Sequence, residues 1–305
     1  MARSVVDLTH QPELTADLRV ALAEDALDLV YQPEVELASG AVVGMEALVR
    51  WPHPSRGLLG PSDFLTTAEL AGLMPQLGTW VIERAAAELD AWREMPPHPT
   101  VRSRQLWVNV AAAQITDDFV DRMRDLAERH RLRPGTLGLE FSERTLEAIG
   151  GRALEVLAEL RRLGYALAVD DFGTWYSSLA TLDELPIDAV KLDRRFVRGV
   201  GGDLDDDAIV ASVIRLAHAR DLYVVAEGVE SWAEGARLCE LGCDRAHGYL
   251  FSTPQRAERA RWMLTRGVGW RERPGQGERG TGSGASGIAG PGAADAGTVE
   301  AGRRG

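Results

Sequence analysis

Residues 28–51 read DLVYQPEVEL-ASG-AVVGMEALVRW. Two apolar runs, 28–37 and 41–51, are separated only by Ala38-Ser39-Gly40. A parallel crossover needs about a dozen residues, so these runs must form an antiparallel hairpin. Downstream the pattern changes. Short runs rich in Val, Leu and Ile recur at 105–110, 136–141, 165–171, 189–193, 223–227 and 244–251. Longer amphipathic stretches lie between most of them. Within 206–220, Ile209, Val210, Val213, Ile214 and Ala217 stand at helical spacing. Asp117 and Asp118 suit a helix N-terminus, and Gly164 and Gly242 follow helical patterns where a terminating glycine is expected. Strands alternating with helices predict a mostly parallel sheet. Eight strands over roughly 250 residues are the size of a (β/α)8 TIM-like barrel. The expected fold is therefore an α/β barrel with one antiparallel strand at the start. A doubly wound open sheet has the same strand count and is the alternative.

Composition narrows the function. The 305 residues hold 34 Lys+Arg against 46 Asp+Glu, a formal net charge of −12. Such a surface repels DNA, RNA and anionic membranes over most of its area, so no polynucleotide partner is expected. No apolar run reaches the ~18–20 residues needed to span a bilayer, so no membrane insertion is expected. The start, MARSVVDLTHQPEL, lacks the apolar core of a secretory signal. Cys239 and Cys243 are the only cysteines, which excludes a disulfide scaffold and makes a cytoplasmic location the expectation. Their C-x₃-C spacing has no companion cysteines, and the six histidines show no metal-binding spacing. Of 32 glycines, 13 fall between Gly267 and Gly305, in a stretch without apolar periodicity. The expected organisation is an N-terminal extension at 1–13, one barrel domain at 14–266 and a disordered tail at 267–305. Residues 95–104, with three prolines, read as a connection inside the domain.

Polar residues recur at the C-terminal ends of the strand-like runs. They are Glu46, Asn109, Glu140, Asp170, Asp171, Lys191, Asp193, Glu227 and His247. In a barrel these ends converge on one rim, where catalytic groups sit. A single strand-end carboxylate usually caps a helix or meets solvent; several on successive strands are harder to explain that way. Converging carboxylates repel one another unless a cation lies among them. Oxygen donors without cysteine point to Mg²⁺ or Mn²⁺ over Zn²⁺. Adjacent Asp170 and Asp171 face opposite sides of an extended strand, so both reach one site only if the chain turns, as Gly173 permits. The pair could then serve two ions, an arrangement suited to attack of water at phosphorus. Lys191 and Asp193, two apart on one strand, share a face. Glu143, three residues beyond Glu140, reads as loop support.

These residues resemble a known family. Glu46-Ala47-Leu48 with Val49-Arg50-Trp51, preceded by Tyr31-Gln32-Pro33, is similar to the signature of EAL-domain cyclic-di-GMP phosphodiesterases. His53-Pro54, Gly57, Pro61, Phe64 and Ala68-Glu69 follow in the family's order. Asn109, Glu140-Phe-Ser-Glu143, Asp170-Asp171-Phe172-Gly173-Thr174, Leu185-Pro186, Lys191-Leu192-Asp193, Ala226-Glu227-Gly228-Val229-Glu230 and Gly248-Tyr249 continue the match from about residue 17 to 262.

The resemblance implies roles. Glu46, Asn109, Glu140, Asp170, Asp171 and Glu227 would hold two Mg²⁺ or Mn²⁺ ions. Lys191 would orient or deprotonate the attacking water, as a charge stabiliser or as a base of depressed pKa. Gln32 and Arg50 would contact the dinucleotide, Arg50 through phosphate. Glu143 would hold the loop after Asp171, and Asp193 and Glu230 would support the site. The implied reaction is hydrolysis of cyclic di-GMP to linear pGpG. A non-hydrolytic cyclic-di-GMP receptor and a signalling interaction module are the competing readings. The resemblance further implies a homodimer through the loop after Asp171. An unidentified regulatory protein is the expected input. Two positions depart from the pattern. His247 stands where the family carries Gln before Gly-Tyr, and Trp175 replaces a glycine. His247 is expected at the substrate side of the site with an altered pH response.

Overall fold

The computed structural model describes residues 11–95, 104–173, 185–202 and 204–270. Trp175, the rest of the loop after Gly173, residues 1–10 and the chain from 271 onward lie outside them. The expectations about dimer contacts, the Trp175 exchange and a disordered tail fall on those residues.

Among the described residues nine strands form: β1 (Asp28–Glu36), β2 (Val42–His53), β3 (Gly57–Leu59), β4 (Gln105–Asn109), β5 (Leu137–Ser142), β6 (Ala166–Phe172), β7 (Ala189–Leu192), β8 (Tyr223–Ala226) and β9 (Arg245–Ala246). Their order, β1-β9-β8-β7-β6-β5-β4-β2, is closed by pairing of β1 with β2. That closure excludes the open sheet. β1 runs antiparallel to both neighbours, while β2 and β4 through β9 pair in parallel. The hairpin brings Gln32 opposite Glu46 and Asp28 opposite Arg50. β3, which the sequence did not announce, is a three-residue return off the end of β2, pairing Trp51 with Leu59.

Helices cover the barrel: α1 (Gln11–Ala23), α2 (Pro61–Leu70), α3 (Met74–Arg93), α4 (Phe119–Arg129), α5 (Glu143–Ile149), α6 (Ala153–Arg162), α7 (Arg194–Val197), α8 (Leu204–His218), α9 (Trp232–Glu240) and α10 (Ala257–Arg266). Leu14 and Leu18 of α1 are buried in the main core. Among the described residues no helix is long and apolar enough to cross a membrane. At the other edge, Trp270 lies four residues past the expected domain end, yet it is buried. It stacks on Trp232 at 4.5 Å, and its indole N–H donates to the Leu37 carbonyl at 3.2 Å. A single anchoring indole has no periodicity, so composition hid it.

The barrel interior has its own packing. Trp107, Ala166, Ala168, Ala189 and Tyr223 form a cluster separate from the core between sheet and helices. Trp107, Ala168 and Ala189 stand two positions before Asn109, Asp170 and Lys191, on the same strand faces. One indole thus fills the floor beneath the polar rim, and the facing residues are small to admit it. A Cβ on Gly138 would stand 2.1 Å from the Trp107 ring. At the opposite end Arg245 bonds Glu34 at 2.7 Å and Gln105 at 3.1 Å and lies over the Tyr223 ring. Gly138→Ala is expected to lower the unfolding free energy by about 1–3 kcal/mol through overpacking. Urea melts check it; an unchanged midpoint would mean that Trp107 can be displaced at no cost.

Candidate active site

The strand ends carry the side chains to one rim. Asn109 donates its amide N–H to Glu46 Oε1 at 2.9 Å, bridging β2 and β4. Asn109 is also in register with Glu140 across β4 and β5. Lys191, only 2% exposed, extends from β7 into the middle of the group. Its Nζ lies 2.7 Å from Glu227 Oε1, 2.9 Å from Glu140 Oε1, 3.6 Å from Glu46 Oε2 and 3.8 Å from Asp170 Oδ1. His247, just past β9, points its Nε2 at Glu227 Oε1, 3.0 Å away.

Asp170 and Asp171 reach the site by a device that simple alternation would forbid. The β6–β7 register slips between Val169 and Phe172, and Asp171 takes φ +54°. Its N–H is held by Asp170 Oδ1 at 2.8 Å. This bulge turns Asp171 to the same side, so that Asp170, Asp171 and Glu227 each offer an oxygen within 4.8 Å of the others. Gly173, at φ +86°, continues the turn expected from the sequence.

The remaining expected residues divide. Gln32 is buried on the hairpin and donates to the Ser252 carbonyl at 3.1 Å. Arg50 sits on the rim, half-buried, with Tyr249, Glu46 and Asp63 near its charge; burial pushes its pKa down. Asp193 requires a correction. β7 ends at Leu192, so Asp193 is not a strand residue sharing a face with Lys191. It caps α7 instead, accepting from the Arg195 N–H at 2.9 Å, and its charge helps raise the pKa of Asp171. Glu143 is buried at the start of α5. The loop it was expected to hold lies outside the described residues. Glu230 is exposed, and its backbone N–H, at 2.8 Å from Glu234 Oε2, joins the start of α9. Tyr249, which sequence reasoning left without a role, is 65% exposed beside Arg50. Its only sequence signal was its place after Gly248.

Electrostatics follows from burial and crowding. Burial holds Glu140 well above the carboxylate range, against the pull of Lys191. Asp170 is pushed up to about 8 by burial, with Glu227, Glu46 and Asp171 adding to it against Lys191. Burial and then Glu227 and Asp193 raise Asp171. Glu227 goes the other way: burial opposes its charge, but Lys191 and His247 hold it well below the usual range. Burial likewise opposes the Lys191 ammonium, yet Asp170, Glu140, Glu227 and Glu46 keep its pKa above that of free lysine. Five carboxylates therefore face one ammonium and one imidazole. Glu140 Oε2 is buried with no hydrogen-bond partner among the described residues. An oxygen-rich, charge-deficient cluster of this kind fits divalent cations.

Residues 15–254 match the EAL domain family. The chain belongs to that family. An uncharacterized protein of Mycobacterium tuberculosis is 42% identical over 265 residues, covering 85% of this chain and 42% of that protein. NbdA of Pseudomonas aeruginosa, named a cyclic di-GMP phosphodiesterase, is 41% identical over 251 residues, covering 82% of this chain and 32% of that protein. The chain thus spans less than half of these relatives' lengths. The solved structure of the MucR phosphodiesterase in complex with c-di-GMP superposes with a TM-score of 0.76 at 39% identity. It covers 81% of this chain and 99% of that one.

The raised pKa of Asp170 would make metal binding there proton-linked. With its carboxyl pushed up to about 8, a cation bound to it would have to displace a proton. Mn²⁺ binding at pH 7 is expected to release protons, with release fading above about pH 9 as the carboxyl ionises on its own. Calorimetry in two buffers of different ionisation enthalpy measures this. Equal heats in both buffers at pH 7 would contradict the assignment.

Proposed function

We propose that this chain hydrolyses one phosphodiester bond of cyclic di-GMP, giving linear pGpG. The observation that carries the reading is the convergence of Glu46, Asn109, Glu140, Asp170, Asp171 and Glu227 around Lys191 at the rim of an EAL-family barrel. The substrate is supported by the relatives: NbdA carries this activity in its name, and the MucR structure is a c-di-GMP complex.

The six rim residues would hold two Mg²⁺ or Mn²⁺ ions, which supply charge neutralisation at phosphorus and acidify water for attack. The chain's own groups do the positioning. Lys191 is a fixed cation in a low-dielectric site, suited to stabilise developing negative charge and to orient the attacking water rather than to remove its proton. Asn109 locks the Glu46 carboxylate through its amide. Arg50 offers a partly desolvated guanidinium at the rim for a phosphate, and Gln32 lies across the hairpin from Glu46. Asp193, close enough to raise the Asp171 carboxyl, lies beside the same cluster. The acidic net charge is compatible with a dianionic ligand because bound cations invert the local field. Free thiols at Cys239 and Cys243 suit the reducing cytoplasm expected for the chain.

Purified protein incubated with cyclic di-GMP and Mg²⁺ or Mn²⁺ is expected to yield pGpG, resolved by chromatography. Glu46→Ala should lower kcat about a hundredfold or more, the effect of losing several kcal/mol of charge stabilisation. Nucleotide binding without pGpG in either metal would replace hydrolysis by a receptor function.

A further inference from the structure

His247 follows the last barrel strand directly, and its placement has a consequence. β9 ends at Ala246, and the next residue turns its ring into the barrel mouth. Nε2 is 3.0 Å from Glu227 Oε1 and 3.7 Å from Glu46 Oε2. Glu46, Glu227 and His247 each place one donor atom within 4.8 Å of the other two. Bonds of about 2.1 Å at near right angles set neighbouring donors of one ion about 3 Å apart, so modest adjustment joins all three.

The backbone that carries the ring is also held firmly. The His247 N–H donates to the Ala226 carbonyl at 2.9 Å, and its own carbonyl accepts the Val229 N–H at 3.1 Å. Gly248 makes this possible: at φ +153°, a Cβ there would stand 2.2 Å from the Val229 carbonyl oxygen. His247 is nine-tenths buried, so few water molecules compete for it. A second observation points to a cation in the same cluster. Glu140, tied to Glu227 through Lys191, is 1% exposed and keeps Oε2 without a hydrogen-bond partner among the described residues.

We propose that His247 is a metal ligand with Glu46 and Glu227, and that its nitrogen turns the site toward borderline ions such as Co²⁺ and Zn²⁺ relative to Mg²⁺. A glutamine amide offers only a hard oxygen at this position. An imidazole nitrogen bonds Co²⁺ and Zn²⁺ well, whereas Mg²⁺ strongly prefers oxygen. The inference rests on the cation-binding reading of the rim, and it needs no nucleotide.

The test titrates the metal-free chain with Co²⁺ and, separately, Mg²⁺ by calorimetry, in the native sequence and in His247→Gln. The expected result is a tenfold or greater loss of Co²⁺ affinity in the variant, with Mg²⁺ affinity changed less than about threefold. Proton NMR of the Co²⁺-loaded native chain should show a strongly shifted imidazole N–H that disappears in His247→Gln. Measuring it in the native chain keeps the test valid should the variant fold poorly. An unchanged Co²⁺ to Mg²⁺ affinity ratio, or no shifted imidazole resonance in the native chain, would overturn the proposal. An unchanged ratio together with pGpG formation would remove the ligand role alone. A changed ratio without pGpG would keep the ligand role and remove the hydrolysis.

Discussion

The Lys191 ammonium, buried among four carboxylates, is the interaction around which the barrel mouth is organised. An isolated ammonium at this depth would cost several kcal/mol in lost hydration, and so would each carboxylate. Each sign is tolerable only because the other is present. The balance remains incomplete, with more carboxylates than cations, and burial first and that surplus second raise the carboxyl pKa values at Glu140, Asp170 and Asp171. The site stores a demand for positive charge. Divalent cations answer that demand more strongly than protons do, because they engage several oxygens at once.

That arrangement needs a rigid floor, and the interior of the barrel supplies it in tiers. Trp107, packed against Gly138 and the alanines of β6 and β7, blocks the space directly beneath the rim. Below it, Arg245, Glu34, Gln105 and Tyr223 close the other end with a bonded polar cluster. The two charged tiers are thus separated by an apolar one. The Lys191 ammonium stands 2.7–3.8 Å from all four carboxylates, in a medium that screens them less than water does. The stability of the interior and the electrostatics of the site rest on the same small residues.

Much of this was legible in the sequence because strands have a period of two. The three-residue ASG link forced a hairpin, and every inward strand end from Glu46 to His247 could be read off its run. What escaped were features without a period. β9 shrinks to Arg245–Ala246 because Gly248 bends the chain away, although 244–251 reads as a full apolar run. Asp193 left the strand to cap α7, an event decided by the Arg195 N–H and not by alternation. Trp270 is anchored by the Trp232 ring, a contact between residues 38 positions apart in sequence that no local window contains. Tyr249 was silent because an exposed aromatic acquires meaning only from its neighbour, here Arg50.

The Asp170–Asp171 pair shows how local rules yield to the site. Alternation would send one of two adjacent side chains to the helices, where an unpaired carboxylate would be buried against apolar packing. The chain instead breaks register and puts a non-glycine residue at φ +54°, a conformation that costs an L-residue about 1 kcal/mol or more. Aspartate is among the residues that tolerate it best, because a short carboxylate can bond nearby backbone. Here the preceding residue does so, through the bond from the Asp171 N–H to Asp170 Oδ1. The strain is modest, is partly offset on the spot, and sits where two carboxylates must share one space. A bulge whose only effect is to crowd like charges destabilises the empty fold. On the proposed reading, cations between the two carboxylates would offset that repulsion.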